Sequence, residues 1–169
     1  MLRDAEQRLP ALFGRLPKAP VVVERVPSFK EKGSAGAYYN PPSFDGARPG
    51  IFYANLRAPR EVVKYGMRTL TYHEAVPGHH LQIALSFEQQ EIPFFRRVIP
   101  FTAFIEGWAL YAERLAAEQG FHPTALDRLG QLQAELSMCP ALVRPPPEPD
   151  EPTDAAYRRK PAVPDKFVV

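Results

Sequence analysis

Residues 67–88 read MRTLTYHEAVPGHHLQIALSFE, two apolar segments with helical periodicity on either side of Pro77-Gly78. The apolar positions are Met67, Leu70 and Thr71 before the break, and Leu81, Ile83, Ala84, Leu85 and Phe87 after it. Proline removes a helical hydrogen bond, and glycine tolerates unusual backbone dihedrals. The pattern therefore predicts one helix from about Pro59 to Tyr72 and a second one after the break.

The flanking sequence predicts strands before this region and helices after it. Helical spacing over residues 1–14 is followed by a β-branched run at residues 21–23 and by two strand-like segments at residues 36–39 and 50–56. The last two are joined by the turn-rich PPSFDGARP, which indicates an antiparallel hairpin. Further helices are predicted at residues 101–118 and 123–138, the latter amphipathic with Leu126, Leu129, Leu132 and Leu136. The expected fold is α+β and mainly helical, with a small antiparallel β-sheet beside a helical bundle.

Composition separates the end of the chain from the rest. Eight of the 20 prolines lie in residues 140–169, which contain RPPPEPDEP and show no apolar period. Such a segment cannot bury enough surface to offset its chain entropy. We therefore expect one domain over residues 1–139 and a disordered, Pro-rich tail over residues 140–169.

Charge and cysteine content exclude several classes of protein. The 21 basic and 19 acidic side chains give a net charge of +2, too balanced to indicate a nucleic-acid or membrane partner. Cys139 is the single cysteine, which excludes an internal disulfide framework and a Cys-rich zinc site. No apolar run is long enough to span a membrane, and the N-terminal residues lack the apolar core of a secretory signal. We expect a cytoplasmic location.

Three of the four histidines lie within His73-Glu74-Ala75-Val76-Pro77-Gly78-His79-His80. A His-Glu pair with a second histidine downstream is typical of zinc peptidases, where two histidines bind the metal and the glutamate is the general base. On an unbroken helix, however, His79 would lie about 120° around and about 9 Å along from His73. A break at Pro77-Gly78 that loops out two residues would correct this offset. His80 would need three looped-out residues, so His79 is the preferred second ligand, with His80 as the alternative.

A third ligand candidate is Glu106, the one charge within the apolar FTAFIEGWALYA at residues 101–112. Burying a carboxylate without a partner costs free energy, and a metal ion held by a neighbouring helix would compensate its charge. The alternative is that Glu106 faces solvent or pairs with Arg96 or Arg97. Glu113, seven residues later on the same face, either orients a ligand histidine or is solvated beside Arg114.

The motifs HEAVPGHHLQ and FIEGWALYAE together resemble a bacterial family known as domain of unknown function 885, which is grouped with gluzincin-like metallopeptidases. The upstream segment GAYYNPPSFDGARPGIFYANL is also similar to that family, and the resemblance covers residues 1–136. It implies a zincin-like catalytic core, a Zn²⁺ site at His73, His79 and Glu106, and Glu74 as the general base. It further implies hydrolysis of a peptide substrate, with the upstream strand lining the cleft.

Several roles are left open by the sequence. Tyr72, Tyr53 or Tyr111 could donate to the oxyanion, and the main chain of residues 53–56 could pair with an extended peptide. Family members are several times longer, and the amino-acid sequence after residue 136 does not match theirs, so we expect a truncated member. The alternatives to a peptidase core are an inactive metal-binding remnant that serves in association, and a purely structural domain without metal. His122, which precedes a proline in a turn, is not expected to bind metal.

Overall fold

Helices make up most of residues 1–99 and 101–138, which are the residues that a computed structural model of the chain describes. The helices are α1 (Leu2–Leu12), α2 (Met67–Glu74), α3 (His79–Glu88), α4 (Phe94–Val98), α5 (Thr102–Glu118) and α6 (Ala125–Met138). The strands are β1 (Val21–Arg25), β2 (Ala37–Asn40) and β3 (Gly50–Ala54), and short 3-10 turns lie at Glu31–Gly33 and Lys64–Gly66. The expected α+β, mainly helical fold is confirmed. The predicted tail over residues 140–169 lies outside the described residues.

The three strands form one sheet in the order β1–β3–β2. The predicted hairpin is present, since β2 and β3 pair antiparallel with Tyr39 opposite Phe52. The expectation of a purely antiparallel sheet is wrong, because β1 pairs parallel to β3 with Val23 opposite Phe52. The chain leaves β1, forms β2, and returns so that β3 enters between them. The central position of β3 follows from that path.

Helix α2 begins later than its sequence pattern predicts. Residues 59–63 form a turn and a bend and are not helical, and Val62 and Val63 are about half exposed. The helix starts only after Gly66, at Met67. β-branched residues and glycine both disfavour helix, so the segment from Pro59 lacks the propensity to extend α2 backwards without packing to stabilise it.

The Pro77-Gly78 break separates α2 from α3. The N–H of His80 donates to the carbonyl of Ala75 at 3.0 Å, a wider loop than an α-helical turn makes. A Cβ on Gly78 would collide with the carbonyl oxygens of Tyr72 and His73, so only glycine fits against the end of α2. The indole of Trp108 on α5 donates to the carbonyl of Pro77 at 2.9 Å. The two helices therefore end and begin at positions that α5 fixes.

The core lies where α1, α2, α3 and α5 pack against one face of the sheet. Its largest fully buried side chains include Tyr72, Leu81 and Phe121, and the Tyr72 hydroxyl donates to the carbonyl of Phe121 at 2.9 Å. This packing anchors the C-terminal end of α2 and the first turn of α3. Nothing among the described helices is both long and apolar enough to cross a membrane.

The amphipathic pattern of α6 does not face this core. The buried residues of α6 are Gly130 and Gln131, whereas Leu126, Leu129, Leu132 and Leu136 are 48–61% exposed. Gly130 lies against the main chain of Tyr65, so the small residue determines which side of α6 packs. The leucine stripe of α6 is left at the surface of residues 1–138.

Candidate metal centre

Three side chains from three helices converge at one point: His73, His79 and Glu106, each with a possible ligand atom within 4.8 Å of the others. His73 Nε2 lies 3.4 Å from Glu106 Oε2, and His79 Nε2 lies 3.8 Å from Glu106 Oε1. The two imidazole rings have centroids 4.6 Å apart and are nearly perpendicular. The residues that the sequence singles out as ligands are therefore brought together by the fold.

The break between α2 and α3 makes this geometry possible. His73 lies in the last turn of α2, and His79 is the first residue of α3. The two histidines thus belong to separate helices and are not related by the 120° offset of a continuous helix. The sequence predicted a looped-out break, and the structure places Ala75–Gly78 in that role.

Glu113 fixes the orientation of the His73 ring. Its Oε1 lies 2.7 Å from His73 Nδ1, and the Glu113 side chain is almost fully buried. A carboxylate acceptor at Nδ1 places the proton there and leaves Nε2 as a lone pair directed toward His79 and Glu106. Of the two alternatives for Glu113, the structure matches the orienting one and not a solvated side chain beside Arg114.

His79 and His80 differ in whether a ring nitrogen is available. His80 Nε2 lies 3.0 Å from the carbonyl of Ala19, and its Nδ1 lies 2.8 Å from the Tyr39 hydroxyl. Since a carbonyl only accepts, Nε2 donates and Nδ1 accepts the hydroxyl proton, so both nitrogens are committed. His79 Nε2, in contrast, makes no hydrogen bond to a described residue and lies 3.8 Å from Glu106 Oε1. The preference for His79 over His80 fits this arrangement.

Glu106 reaches the centre from a more open position than its sequence context suggests. Its side chain is 41% exposed, so the expectation of a buried carboxylate is wrong. Phe101 and Phe104, which precede it in sequence, are themselves exposed. Within the described residues no ion pair joins Glu106 to Arg96 or Arg97. Its partners are the two histidines.

Charge around the two histidines is predominantly negative. Burial lowers the pKa of His73, but the hydrogen bond and charge of Glu113, with the charges of Glu74 and Glu106, outweigh it and raise that pKa overall. The pKa of Glu74 is raised, first by burial and then by the charge of Glu106. Burial is also the main cause that lowers the pKa of His79 to about 4.

These features fit a divalent cation. The donors at this point are Nε2 of a neutral His79, Nε2 of the His73 ring that Glu113 orients, and the carboxylate of Glu106. Imidazole nitrogens and carboxylate oxygens are donors that zinc prefers. A cation would also offset the charge of three clustered carboxylates, Glu74, Glu106 and Glu113. With these three side chains as ligands, a cation would keep a coordination position open, as in catalytic zinc sites.

The centre lies in a cleft of about 390 Å³ between β2, α2, α3 and α5. Glu74 lines it together with the three candidate ligands, and Ala37, Tyr38 and Tyr39 of β2 form the opposite wall. The GAYYN segment that resembles the family's cleft strand is therefore β2. The sequence analysis missed Tyr38 and Tyr39 as individual residues, although the doubled tyrosine in that segment was a usable signal.

None of the three tyrosines proposed as oxyanion donors lines the cleft. The Tyr72 hydroxyl is fully buried and donates to Phe121 on the far side of α2. Tyr111 is 52% exposed beside Trp108, and Tyr53 packs on Tyr38 with ring centroids 5.0 Å apart. The periodicity of apolar residues assigns these tyrosines to helices and strands, but it does not give the direction of their side chains relative to the cleft.

The proposed docking strand also changes. Tyr53 pairs with Glu24 of β1 on one side and with Tyr38 of β2 on the other. Because β3 is the central strand, its main chain cannot accept a further strand there. The strand with an edge toward the cleft is β2.

His122 lies away from the centre. Its Nε2 is 3.1 Å from the Thr69 hydroxyl, and its ring packs edge-on against Tyr72. The structure therefore places it outside the candidate site, where the sequence also placed it.

Comparison with known proteins gives the family directly. The model of the family described as "Bacterial protein of unknown function (DUF885)" matches residues 1–143. The chain belongs to the DUF885 family. The expected resemblance is thus confirmed, and residues 1–143 of this DUF885 protein include every residue of the candidate centre.

One solved structure illustrates how the DUF885 chain compares in size with a relative. It is the crystal structure of a "putative lipoprotein" from Colwellia psychrerythraea, with a TM-score of 0.77 and 43% sequence identity. The match covers 80% of this chain and 23% of that protein, so the chain spans about a quarter of its length. A comparison with curated proteins finds no match.

Proposed function

We propose that the described part of the chain is the catalytic core of a zinc-dependent peptidase. The observation that carries the proposal is the convergence of His73, His79 and Glu106 within 4.8 Å, in a cleft that Glu74 also lines. Two imidazoles and one carboxylate form the donor set of catalytic zinc sites, which differ from structural ones in keeping a position open. The His-Glu motif on α2 supports the same assignment.

Glu74 is the general base in this proposal. A bound Zn²⁺ would polarise the scissile carbonyl and lower the pKa of a coordinated water to about 7. Glu74, next in sequence to a ligand but not itself within the ligand group, would take a proton from water and pass it to the leaving amine. Glu113 would act through His73 and hold its ring in place.

Tyr38 lines the cleft, but its ring packs on Tyr53, which lies outside the cleft. Tyr39 also lines the cleft, but its hydroxyl proton is directed to His80 Nδ1. Successive residues of a strand point to opposite faces of the sheet, so the Tyr38 ring lies on the face away from the Tyr39 ring. We therefore assign no tyrosine as the oxyanion donor.

The peptide would bind along the free edge of β2. On its other edge β2 already pairs with β3, and residues 37–39 face the cleft. An extended peptide can add to such an edge through main-chain hydrogen bonds. The docking strand of this proposal is Ala37–Asn40, in place of the segment at residues 53–56 that the sequence suggested.

The proposal can be tested by metal analysis followed by hydrolysis of a mixture of short peptides. We expect about one zinc per chain, its loss in His73→Ala and His79→Ala, and its retention in His80→Gln. Hydrolysis should stop on addition of a chelator and return with Zn²⁺. A chain that binds no zinc, or a His80→Gln variant that alone loses it, would contradict the proposal.

A second candidate function is association without catalysis. The leucine stripe of α6 favours it, because a contiguous exposed apolar surface marks a site of protein contact. In that case the chain would bind zinc but hydrolyse nothing, and it would self-associate. Sedimentation of the zinc-loaded chain, together with the peptide assay, separates the two.

A further inference from the structure

A second pocket lies directly beside the metal cleft. It has a volume of about 220 Å³ and is enclosed by α3, α4 and α5 with Pro41. Three residues, Pro41, Ile83 and Ile105, line both the pocket and the cleft. Ile83 lies one helical turn beyond His79, and Ile105 precedes Glu106 in sequence. A group bound at the metal centre would therefore have its neighbouring residue at the mouth of this pocket.

The pocket wall is mainly apolar. Its side chains include Ile83, Phe87, Ile99, Phe104 and Ile105. The volume is below the about 300–1,000 Å³ of pockets for drug-sized ligands, which suits a single amino-acid side chain. An apolar side chain that enters it gains the free energy of burial against these residues.

The charged side chains of the pocket wall are basic. Among the described residues, Arg96 and Arg97 are the only charged ones of the wall, and neither forms an ion pair with an acidic residue there. Arg97 donates through Nη1 to the carbonyl of Phe87 at 3.2 Å, which holds the guanidinium against α3. Arg97 Nε and Gln82 Oε1 are buried without hydrogen-bond partners among the described residues. The Gln82 oxygen lacks a donor, whereas the Arg97 guanidinium lacks an acceptor, and an anion would supply the acceptor.

We propose that this pocket binds the C-terminal residue of the peptide substrate, with its apolar side chain among the isoleucines and phenylalanines and its α-carboxylate at Arg97 and Arg96. The proposal rests on the proposed peptidase function and assigns its substrate class: peptides with a free C-terminus and an apolar last residue. A carboxylate next to an apolar side chain is the one chemical group of a peptide that matches both features of the wall. Arginine recognises carboxylates through paired donors.

The test measures peptide binding to the metal-free chain, kept so by a chelator, with calorimetry. Without metal, a carboxylate cannot be held at the zinc position. The probes are acetyl-Ala-Ala-Leu with a free carboxylate, the same peptide as its C-terminal amide, and acetyl-Ala-Ala-Gly with a free carboxylate. We expect the leucine acid to bind about tenfold or more tightly than either, since it alone uses both the charge and the apolar wall.

Variants assign the effect to the pocket. In the Arg97→Gln variant, the affinity for the leucine acid should come to within about twofold of the affinity for the amide. Arg96→Gln should lower the affinity for the leucine acid to a smaller degree. Arg60→Gln, an exposed arginine outside both pockets, is the matched control and should leave the difference unchanged. Should Arg97→Gln fail to fold, the comparison of the three peptides on the parent chain still decides.

Failure of this proposal is distinct from failure of the peptidase proposal. Equal binding of acid and amide, or no saturable binding of the leucine acid, overturns the pocket assignment even if zinc-dependent hydrolysis is observed. The pocket assignment is supported if the chain binds the leucine acid selectively and the Arg97→Gln variant loses that selectivity. This holds even if the zinc-loaded chain hydrolyses nothing. In that second case only the catalytic assignment is lost.

Discussion

His73 Nδ1 lies 2.7 Å from Oε1 of Glu113, which is 2% exposed, and this contact joins the end of α2 to the middle of α5. The other carboxylate oxygen, Glu113 Oε2, is buried without a hydrogen-bond partner among the described residues. A buried carboxylate held by one imidazole is costly by itself. Its position is explained if it orients His73 toward the candidate metal centre.

The Glu113→Gln substitution should weaken zinc binding without unfolding the chain. The amide oxygen can still accept from His73 Nδ1, but it does not raise the basicity of the ring. Loss of such a partner typically lowers metal affinity on the order of 10–100-fold. Competition against a chelator of known strength measures the change. Glu118→Gln, an exposed glutamate on the same helix, is the control, and an equal affinity in both variants would contradict the orienting role.

Glu74 and Glu106 should respond differently to substitution by glutamine. Glu74→Gln should retain zinc while any hydrolysis falls on the order of 10²–10⁴-fold, because the amide cannot take a proton. Glu106→Gln should release zinc more readily, because a neutral oxygen is a weaker ligand and one compensating charge is lost. Chelator competition ranks the two variants without a known substrate. If both release zinc equally, the division into base and ligand is wrong.

Gly50→Ala should destabilise the fold. A Cβ at Gly50 would lie 2.5 Å from His80 Nδ1 and 2.7 Å from the Tyr39 hydroxyl, which are hydrogen-bonded to each other. Separating that buried pair or moving β3 should cost about 1–3 kcal/mol of unfolding free energy. Thermal unfolding compares it with Gly36→Ala, where a Cβ meets nothing within 4 Å. Equal melting temperatures would show that the site adapts without cost.

His122→Gln should reduce the sensitivity of the fold to acid. Burial lowers the pKa of His122, as do the charges of Arg128 and Arg68, against the opposite effect of Asp127. The unfolded state therefore binds the proton more readily, and stability is lost as the pH falls below the unfolded value of about 6.5. The free energy of unfolding, measured with denaturant, should fall less steeply between pH 7.5 and pH 5 in the variant than in the parent. Its zinc content should equal that of the parent, and a fall would implicate His122 in the site.

Paired substitutions on α6 test the exposed leucine stripe. Leu129→Gln with Leu132→Gln should leave the melting temperature nearly unchanged, since both side chains are about half exposed. Self-association measured by sedimentation should decrease if the stripe mediates contact between copies. Leu81→Gln is the opposite control, because Leu81 is 1% exposed and the polar group would be buried without a partner. A large loss of stability in the α6 variant would show that the stripe packs in solution.

Local chemistry is what made much of this protein predictable from its sequence. The Pro77-Gly78 break, the hairpin before it and the helix around Glu106 follow from residue propensities and periodicity, and the structure has all three. The motif around His73 and His79 named a ligand set that the fold brings within 4.8 Å. Its assignment to zinc, peptide hydrolysis and a cytoplasmic location stays a prediction.

Long-range packing decided what periodicity could not. Whether β1 would pair parallel to β3, which face of α6 would be buried and which tyrosines would line the cleft all depend on contacts between residues distant in sequence. Because β3 is the central strand, the candidate docking edge is Ala37–Asn40 of β2. Because α6 packs through Gly130, its leucines lie on the exposed side. The choice between His79 and His80 likewise rests on Ala19 and Tyr39, which occupy both nitrogens of His80. A sequence pattern specifies which groups are present, whereas the tertiary contacts determine which of their atoms remain available.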